Sequence, residues 1–470
     1  MFIEQIYTSC LAQGAYYIHS GGEALVIDPL RETQPYLERA ERDNVKIKYI
    51  LETHFHADFV SGHIGLAKET GAQIVFGPHA NPSFGFHSAQ DGEELKLGNL
   101  TIKVLHTPGH TMESTCYLLL DEKNKEIAVF TGDTLFIGDV GRPDLAQKAT
   151  SMTQEELAGL LYDSLRSKLM TLPDHVIVYP AHGAGSACGK NMSKETMSTI
   201  GEQKTGNYAL SADMTKEEFI KELTGGLLPP PRYFGANVQM NKTGYNSINE
   251  VINRGMNPLI VDTFELLANQ TDAIVLDTRN AEDFALGHIP MSIFIGLDGQ
   301  FAPWVGTLIK DIEQKILLVT DVGREKEAVK RLARVGYDNV LGYLNGGISS
   351  WRNSGKICST VSRITAGQLE QMGEFRGQPI IDVRKPAEFE AEHLELAMSL
   401  PLDFIDENFP SYPKSQSFVL HCAGGYRSMI AASILKSKGC NDLVDVIGGY
   451  SALSKTSLPK INLICSIAKK

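Results

Sequence analysis

The chain contains no Cys-x-x-Cys pair, and its seven cysteines (Cys10, Cys116, Cys188, Cys358, Cys422, Cys440 and Cys465) are scattered and odd in number. That pattern argues against a disulfide framework and for reduced thiols in the cytoplasm. No apolar run approaches the roughly 18–20 residues needed to span a bilayer. The N-terminal run Met1-Phe2-Ile3-Glu4-Gln5-Ile6-Tyr7 lacks the basic head and long apolar stretch of a secretory signal. Lysine and arginine form no stripe, and the formal charge is −12, so neither nucleic acid nor a membrane is expected as a partner.

The remaining composition, 43% hydrophobic and 21% charged, is that of a globular protein. At 470 residues the chain exceeds one core and implies several domains. Residues 1–240 read as short strands and turns, such as Glu23 to Asp28, followed by helical segments, such as Thr153 to Leu172. The Pro-rich run Leu227-Leu228-Pro229-Pro230-Pro231-Arg232 interrupts regular structure as a linker.

The rest is duplicated. The run Asp277 to His288 recurs as Asp382 to His393, and Gly346-Gly347 recurs as Gly448-Gly449. A repeat near 100 residues is a duplicated domain, because solenoid units run about 20–50 residues. Apolar strands alternate with amphipathic helices in each copy, which predicts a small parallel α/β sheet over 245–355 and another over 362–470.

Chemistry concentrates in two places. The first is Thr53-His54-Phe55-His56-Ala57-Asp58-Phe59, after the strand-like Ile47 to Leu51. Together with His110 of Pro108-Gly109-His110, Asp133 of Thr131-Gly132-Asp133 and His182, it offers imidazoles and carboxylates without thiolates. Such a set suits zinc, iron or manganese rather than a closed structural zinc site.

The second is Phe418-Val419-Leu420-His421-Cys422-Ala423-Gly424-Gly425-Tyr426-Arg427, a strand, a cysteine and a six-residue loop leading into a helix from Ser428 to Lys438. Loop N–H groups, the helix N-terminus and Arg427 would cradle a thiolate or persulfide anion on Cys422 and lower its pKa. In the middle copy the corresponding run, Val319-Thr320-Asp321-Val322-Gly323-Arg324-Glu325, has no cysteine.

The order and spacing of the histidines and aspartates resemble the metallo-β-lactamase family, an αββα sandwich whose metals sit at loops on the sheet edges. That resemblance implies a two-metal pattern, His-x-His-x-Asp-His, but its last position is Phe59 here, which has no lone pair to donate. Within the family the chain is similar to the persulfide dioxygenases, also through Gly141-Arg142-x-Asp144. The resemblance implies one Fe(II) per chain held by His54, His110 and Asp133, a two-histidine, one-carboxylate set with open positions. His56, Asp58 and His182 would then orient ligands or meet substrate, and Arg142 would pair structurally or guide a substrate carboxylate.

The Cys422 loop resembles an active rhodanese, with Asp382 and Arg384 as a structural pair, and the middle copy resembles an inactive one. The implied activity is oxidation of a low-molecular-weight thiol persulfide by O₂ to sulfite and thiol. Cys422 would carry sulfane sulfur between persulfide, sulfite and thiosulfate in sulfide detoxification. Relatives imply a dimer or tetramer. The alternatives are a binuclear zinc thioester hydrolase of the hydroxyacylglutathione hydrolase type and a non-catalytic sulfur carrier.

Overall fold

The computed structural model describes residues 2–145, 151–227, 229–372 and 377–462; Leu228 of the linker and Cys465 lie outside them. By contact density the chain divides into two compact units, Met1–Glu250 with Leu332–Gly336, and Val251–Arg331 with Tyr337–Lys470.

In the first unit, alternation along the strands builds an apolar layer on each side of each sheet. The first sheet has six strands in the order Phe2–Thr8, Gln13–Ser20, Glu23–Ile27, Lys46–Leu51, Gln73–Phe76 and His87–Ser88. Leu25, Ile27 and Leu51 face a core shared with Ile102, Leu119 and Phe130 of the second sheet. Ala24, Val26 and Ile50 point the other way, against Tyr36, Ala40 and Leu66 of the helices Gln34–Arg42 and His63–Thr70. The second sheet runs Ser198–Thr199, Ile177–Pro180, Glu126–Gly132, Thr115–Leu120, Leu100–His106 and Glu94–Leu97. Its outer residues Leu118, Val129 and Val178 pack on the helical residues Ala158, Leu161 and Leu165. Two sheets face to face with helices outside make the expected αββα sandwich.

The helix expected over Thr153 to Leu172 begins where Thr153 and Glu156 form a capping box, but its α-helical part ends at Ser164. It continues as a π turn, Leu165–Leu169. Leu172 precedes Pro173, and the residue before a proline disfavours helical backbone.

The second unit contains two five-stranded sheets whose strand pairs are all parallel. One runs Pro258–Leu259, Val340–Leu344, Ile316–Val319, Ile274–Asp277 and Ile293–Phe294. The other runs Ser362–Thr365, Leu443–Ile447, Phe418–His421, Ile380–Asp382 and Ala397–Ser399. The duplicated segments therefore occupy the same sheet positions. Among the described residues no helix is long and apolar enough to cross a membrane.

Candidate metal centre and sulfur-transfer loop

The metal candidates sit on loops leaving the ends of four strands. Asp28 follows Glu23–Ile27 and accepts from Thr53 twice: from its N–H at 2.8 Å and from its Oγ1 at 2.9 Å. Because the Thr53 hydroxyl hydrogen goes to Asp28, its oxygen accepts from His54 Nδ1, 2.9 Å away. His54 thus carries its proton on Nδ1 and a lone pair on Nε2. His110 is set the same way, since its Nδ1 lies 2.8 Å from the carbonyl oxygen of Arg142, an acceptor only. Gly141 lets that backbone pass, because a Cβ there would sit 2.1 Å from Asp133 O and 2.9 Å from His110 Nδ1.

Both Nε2 lone pairs face one oxygen. Asp133 Oδ2 is 3.9 Å from His54 Nε2 and 3.5 Å from His110 Nε2, and it has no hydrogen-bond partner. Three buried acceptors converging without a donor are costly unless a cation joins them. The donor set therefore fits a metal ion on this geometric ground. Burial, reinforced by the neighbouring His56, holds the His54 imidazole well below its ordinary pKa, so it stays neutral and able to ligate.

His182 stands one step back. Its Nδ1 is 2.8 Å from Asp133 Oδ1 and its Nε2 2.8 Å from Asp58 Oδ2, so the ring fixes the orientation of Asp133. Burial alone would depress its pKa, but the two carboxylates override that and push it well up. His56 turns away, with Nε2 3.0 Å from Asp28 Oδ1 and 3.7 Å from Glu52 Oε2. Phe59 is fully buried, its ring centroid 4.4 Å from that of His56. Arg142 is committed to Asp144 through two bonds of 2.7 Å and is 6% exposed.

Several residues that shape this site carry no local signal. Asn241 donates to the carbonyls of His56 (2.8 Å) and Phe59 (2.9 Å) and accepts from Ser61 N–H (2.9 Å). Asp28, Glu52 and Cys188 likewise reach the cluster only through folding. The strand-ending carboxylates Asp28 and Glu52, apolar on one side and ligand-rich on the other, were the available hint for two of them.

In the last sheet Cys422 follows the strand Phe418–His421 and is 1% exposed. Gly425 N–H donates to its sulfur at 3.1 Å. Gly425 has φ +104°, a left-handed turn that lets the helix start at Tyr426, two residues before the expected Ser428. Arg427 does not cap the sulfur directly; its guanidinium forms a two-point pair with Glu388, with Nη2 to Oε1 at 2.8 Å. Ala423 and Gly424 form the open rim of the loop. Tyr426 O–H donates to Gly296 O of the middle copy at 2.7 Å, and a Cβ on Gly299 would lie 2.5 Å from the Tyr426 ring. The middle copy thus seats the first residue of the loop helix.

Residues 10–182 match the metallo-beta-lactamase superfamily model, and residues 261–354 and 365–456 each match the rhodanese-like domain model. A solved metallo-beta-lactamase from Staphylococcus aureus subsp. aureus COL superposes with TM-score 0.64 at 32% identity, covering 73% of this chain and 98% of that one. The fold and its two modules define a metallo-beta-lactamase superfamily enzyme fused to tandem rhodanese-like domains.

Among curated relatives, the mitochondrial persulfide dioxygenase ETHE1 of Homo sapiens is 31% identical over 222 residues, 47% of this chain and 78% of its own length. Hydroxyacylglutathione hydrolase GloC of Haemophilus influenzae is 29% identical over 211 residues, 40% of this chain and 88% of its own length. The chain belongs to the family of the persulfide dioxygenases, in a fused form with two rhodanese-like domains.

Proposed function

We propose that the protein is an iron-dependent persulfide dioxygenase coupled to a sulfurtransferase. The observation that carries this reading is the convergence of His54 Nε2, His110 Nε2 and the unpartnered Asp133 Oδ2, with Phe59 where a further imidazole would stand. Iron(II), when bound by these three residues, supplies a redox-active centre with positions left open for O₂ and substrate sulfur. The overall change, RSSH + O₂ + H₂O → RSH + SO₃²⁻ + 2H⁺, consumes a thiol persulfide, of which glutathione persulfide is the reference case.

The protein's own residues prepare that reaction. Thr53 and the Arg142 carbonyl lock the two imidazoles in the tautomer that presents Nε2, and His182 holds Asp133 in place. Burial of the whole set excludes bulk water and strengthens every charge interaction within it.

In the last domain, Cys422 would displace RS⁻ from a persulfide and hold the sulfane sulfur as a cysteine persulfide. Sulfite would then attack the outer sulfur, releasing thiosulfate and restoring the Cys422 thiolate. Gly425 N–H is placed to steady negative charge on the attacking sulfur. We take residues 1–240, 245–355 and 362–470 as the dioxygenase, silent and active rhodanese domains. We place the reaction in the cytoplasm, in a dimer or tetramer, as part of sulfide detoxification.

The likeness to hydroxyacylglutathione hydrolase GloC favours a second reading, a binuclear zinc thioester hydrolase. A hydroxide shared by two ions needs donors for both, and Phe59 takes one imidazole from the second set, leaving Asp58, His182 and Cys188 there. In the full chain, oxygen uptake with glutathione persulfide is expected to accompany about one iron per chain. His110→Ala should lower both uptake and iron content by at least about a hundredfold. Undiminished uptake in the variant rejects the assignment, and two zincs with thioester cleavage installs the hydrolase in its place.

A further inference from the structure

Next to the Cys422 loop lies a buried polar trio that neither proposed reaction uses. Ser428, Asp445 and Arg363 come from three elements: the loop helix Tyr426–Ser437, the strand Leu443–Ile447 and the edge strand Ser362–Thr365. Ser428 and Asp445 are fully buried. Ser428 Oγ donates to Asp445 Oδ1 at 2.6 Å, and Arg363 Nε donates to Asp445 Oδ2 at 3.0 Å, so each carboxylate oxygen has its own donor. A carboxylate is tolerated in the interior only when it is paired in this way.

The trio meets the loop at Gly425. Ser428 Oγ also lies 3.3 Å from Gly425 O, but its single hydrogen goes to the nearer, charged oxygen of Asp445. Gly425 O then accepts from Met429 N–H at 3.3 Å. Arg363 Nη2 comes within 3.8 Å of the point where a Gly425 Cβ would stand. Gly425 is the residue whose N–H reaches the Cys422 sulfur, and at φ +104° its own backbone does little to hold that N–H in place. All three positions change in the copy without a cysteine, where Lys326, Tyr343 and Pro258 replace Ser428, Asp445 and Arg363. A parallel sheet of the same order forms there, so the fold does not require the trio.

We propose that Ser428, Asp445 and Arg363 are positioning residues for sulfur transfer, fixing Gly425 so that its N–H meets the Cys422 sulfur. The inference rests on the sulfurtransferase reading and deepens it. When the cysteine persulfide is discharged, the acceptor attacks the outer sulfur, the S–S bond breaks and its electron pair returns to Cys422 Sγ. The Gly425 N–H stands where that charge arrives. Charging runs the other way: the thiolate gives its charge up, so this step depends far less on the N–H. The trio therefore serves discharge more than charging.

The test uses the full chain, with thiosulfate as donor, cyanide as acceptor and peptide-mass detection of sulfur on Cys422. Ser428→Ala should lower kcat/KM for cyanide at least about tenfold, leave kcat/KM for thiosulfate within about threefold, and let sulfur accumulate on Cys422. Asp445→Asn should show the same split. The double variant should fall no further than the weaker single one, as expected of residues that act through one another. Equal losses in both ratios, additive losses, or unchanged discharge in Ser428→Ala overturns the inference while the sulfurtransferase reading stands. No sulfur on Cys422 in the unaltered chain overturns both.

Discussion

In the middle rhodanese-like copy Thr320 stands where the last copy has Cys422, each one residue past a strand end held in the same register, Val319 opposite Asp277 and His421 opposite Asp382. Each lies beneath a glycine that admits no side chain: a Cβ on Gly347 would meet Thr320 O at 2.9 Å, and one on Gly449 would meet Cys422 O at 2.3 Å. Both copies keep an aspartate–arginine pair, Asp277 with Arg279 and Asp382 with Arg384. Both stack phenylalanine on histidine, Phe284 on His288 at 3.9 Å and Phe389 on His393 at 3.8 Å.

The loops diverge. Gly425 N–H faces the Cys422 sulfur, whereas Gly323 N–H is taken by Glu325 Oε2 at 2.9 Å. Asp321 replaces Ala423, and Glu325 replaces Arg427. What survives in the copy without a cysteine is what folding requires, and what is lost is what the sulfur requires. The aspartate–arginine pairs fall on the structural side by that comparison.

Cys422→Ser should reduce sulfur transfer from thiosulfate about a thousandfold or more while leaving oxygen uptake intact. Adding Thr320→Cys should return almost none of it, because two carboxylates and an occupied loop amide oppose a thiolate there. A hundredfold recovery would show that the loops do not discriminate.

A buried charge separates the copies next. Asp445 and Tyr343 share a register position, opposite Leu420 and Leu318. Burial raises the Asp445 carboxyl from 3.8 to about 6, against the pull of Ser428 and Arg363. The folded state therefore binds this proton more tightly than the unfolded chain. The resulting stabilisation is full below about pH 4 and is lost as pH rises through about 6, a difference of about 3 kcal/mol. Asp445→Asn should flatten that slope in urea unfolding followed by alkylation of the buried Cys440. An unchanged slope would assign the pH dependence elsewhere.

The smallest effect is expected at the junction of the copies. Tyr426→Phe leaves Gly296 O without its 2.7 Å donor, a cost of about 1–2 kcal/mol. Sulfur transfer should fall several-fold through kcat with KM nearly constant, since the substrate contacts are untouched. A change confined to KM would place Tyr426 in substrate binding instead.

The sandwich and the paired sheets were legible because alternation and repetition are local patterns. The ligand loops were legible for the same reason: His54, His56 and Asp58 arrive within five residues. Asn241, Cys188 and Asp28 were not, because their partners lie far along the chain and only packing joins them. Arg427 shows a different limit. Its proximity to the sulfur could be read, but the competing Glu388, 39 positions away, could not.

Gly299 leaves a bare stretch of backbone, and the tyrosine that opens the Cys422 helix rests on it. The copy without a cysteine thus forms part of the floor beneath its twin, so trimming it away would strip that helix of a support.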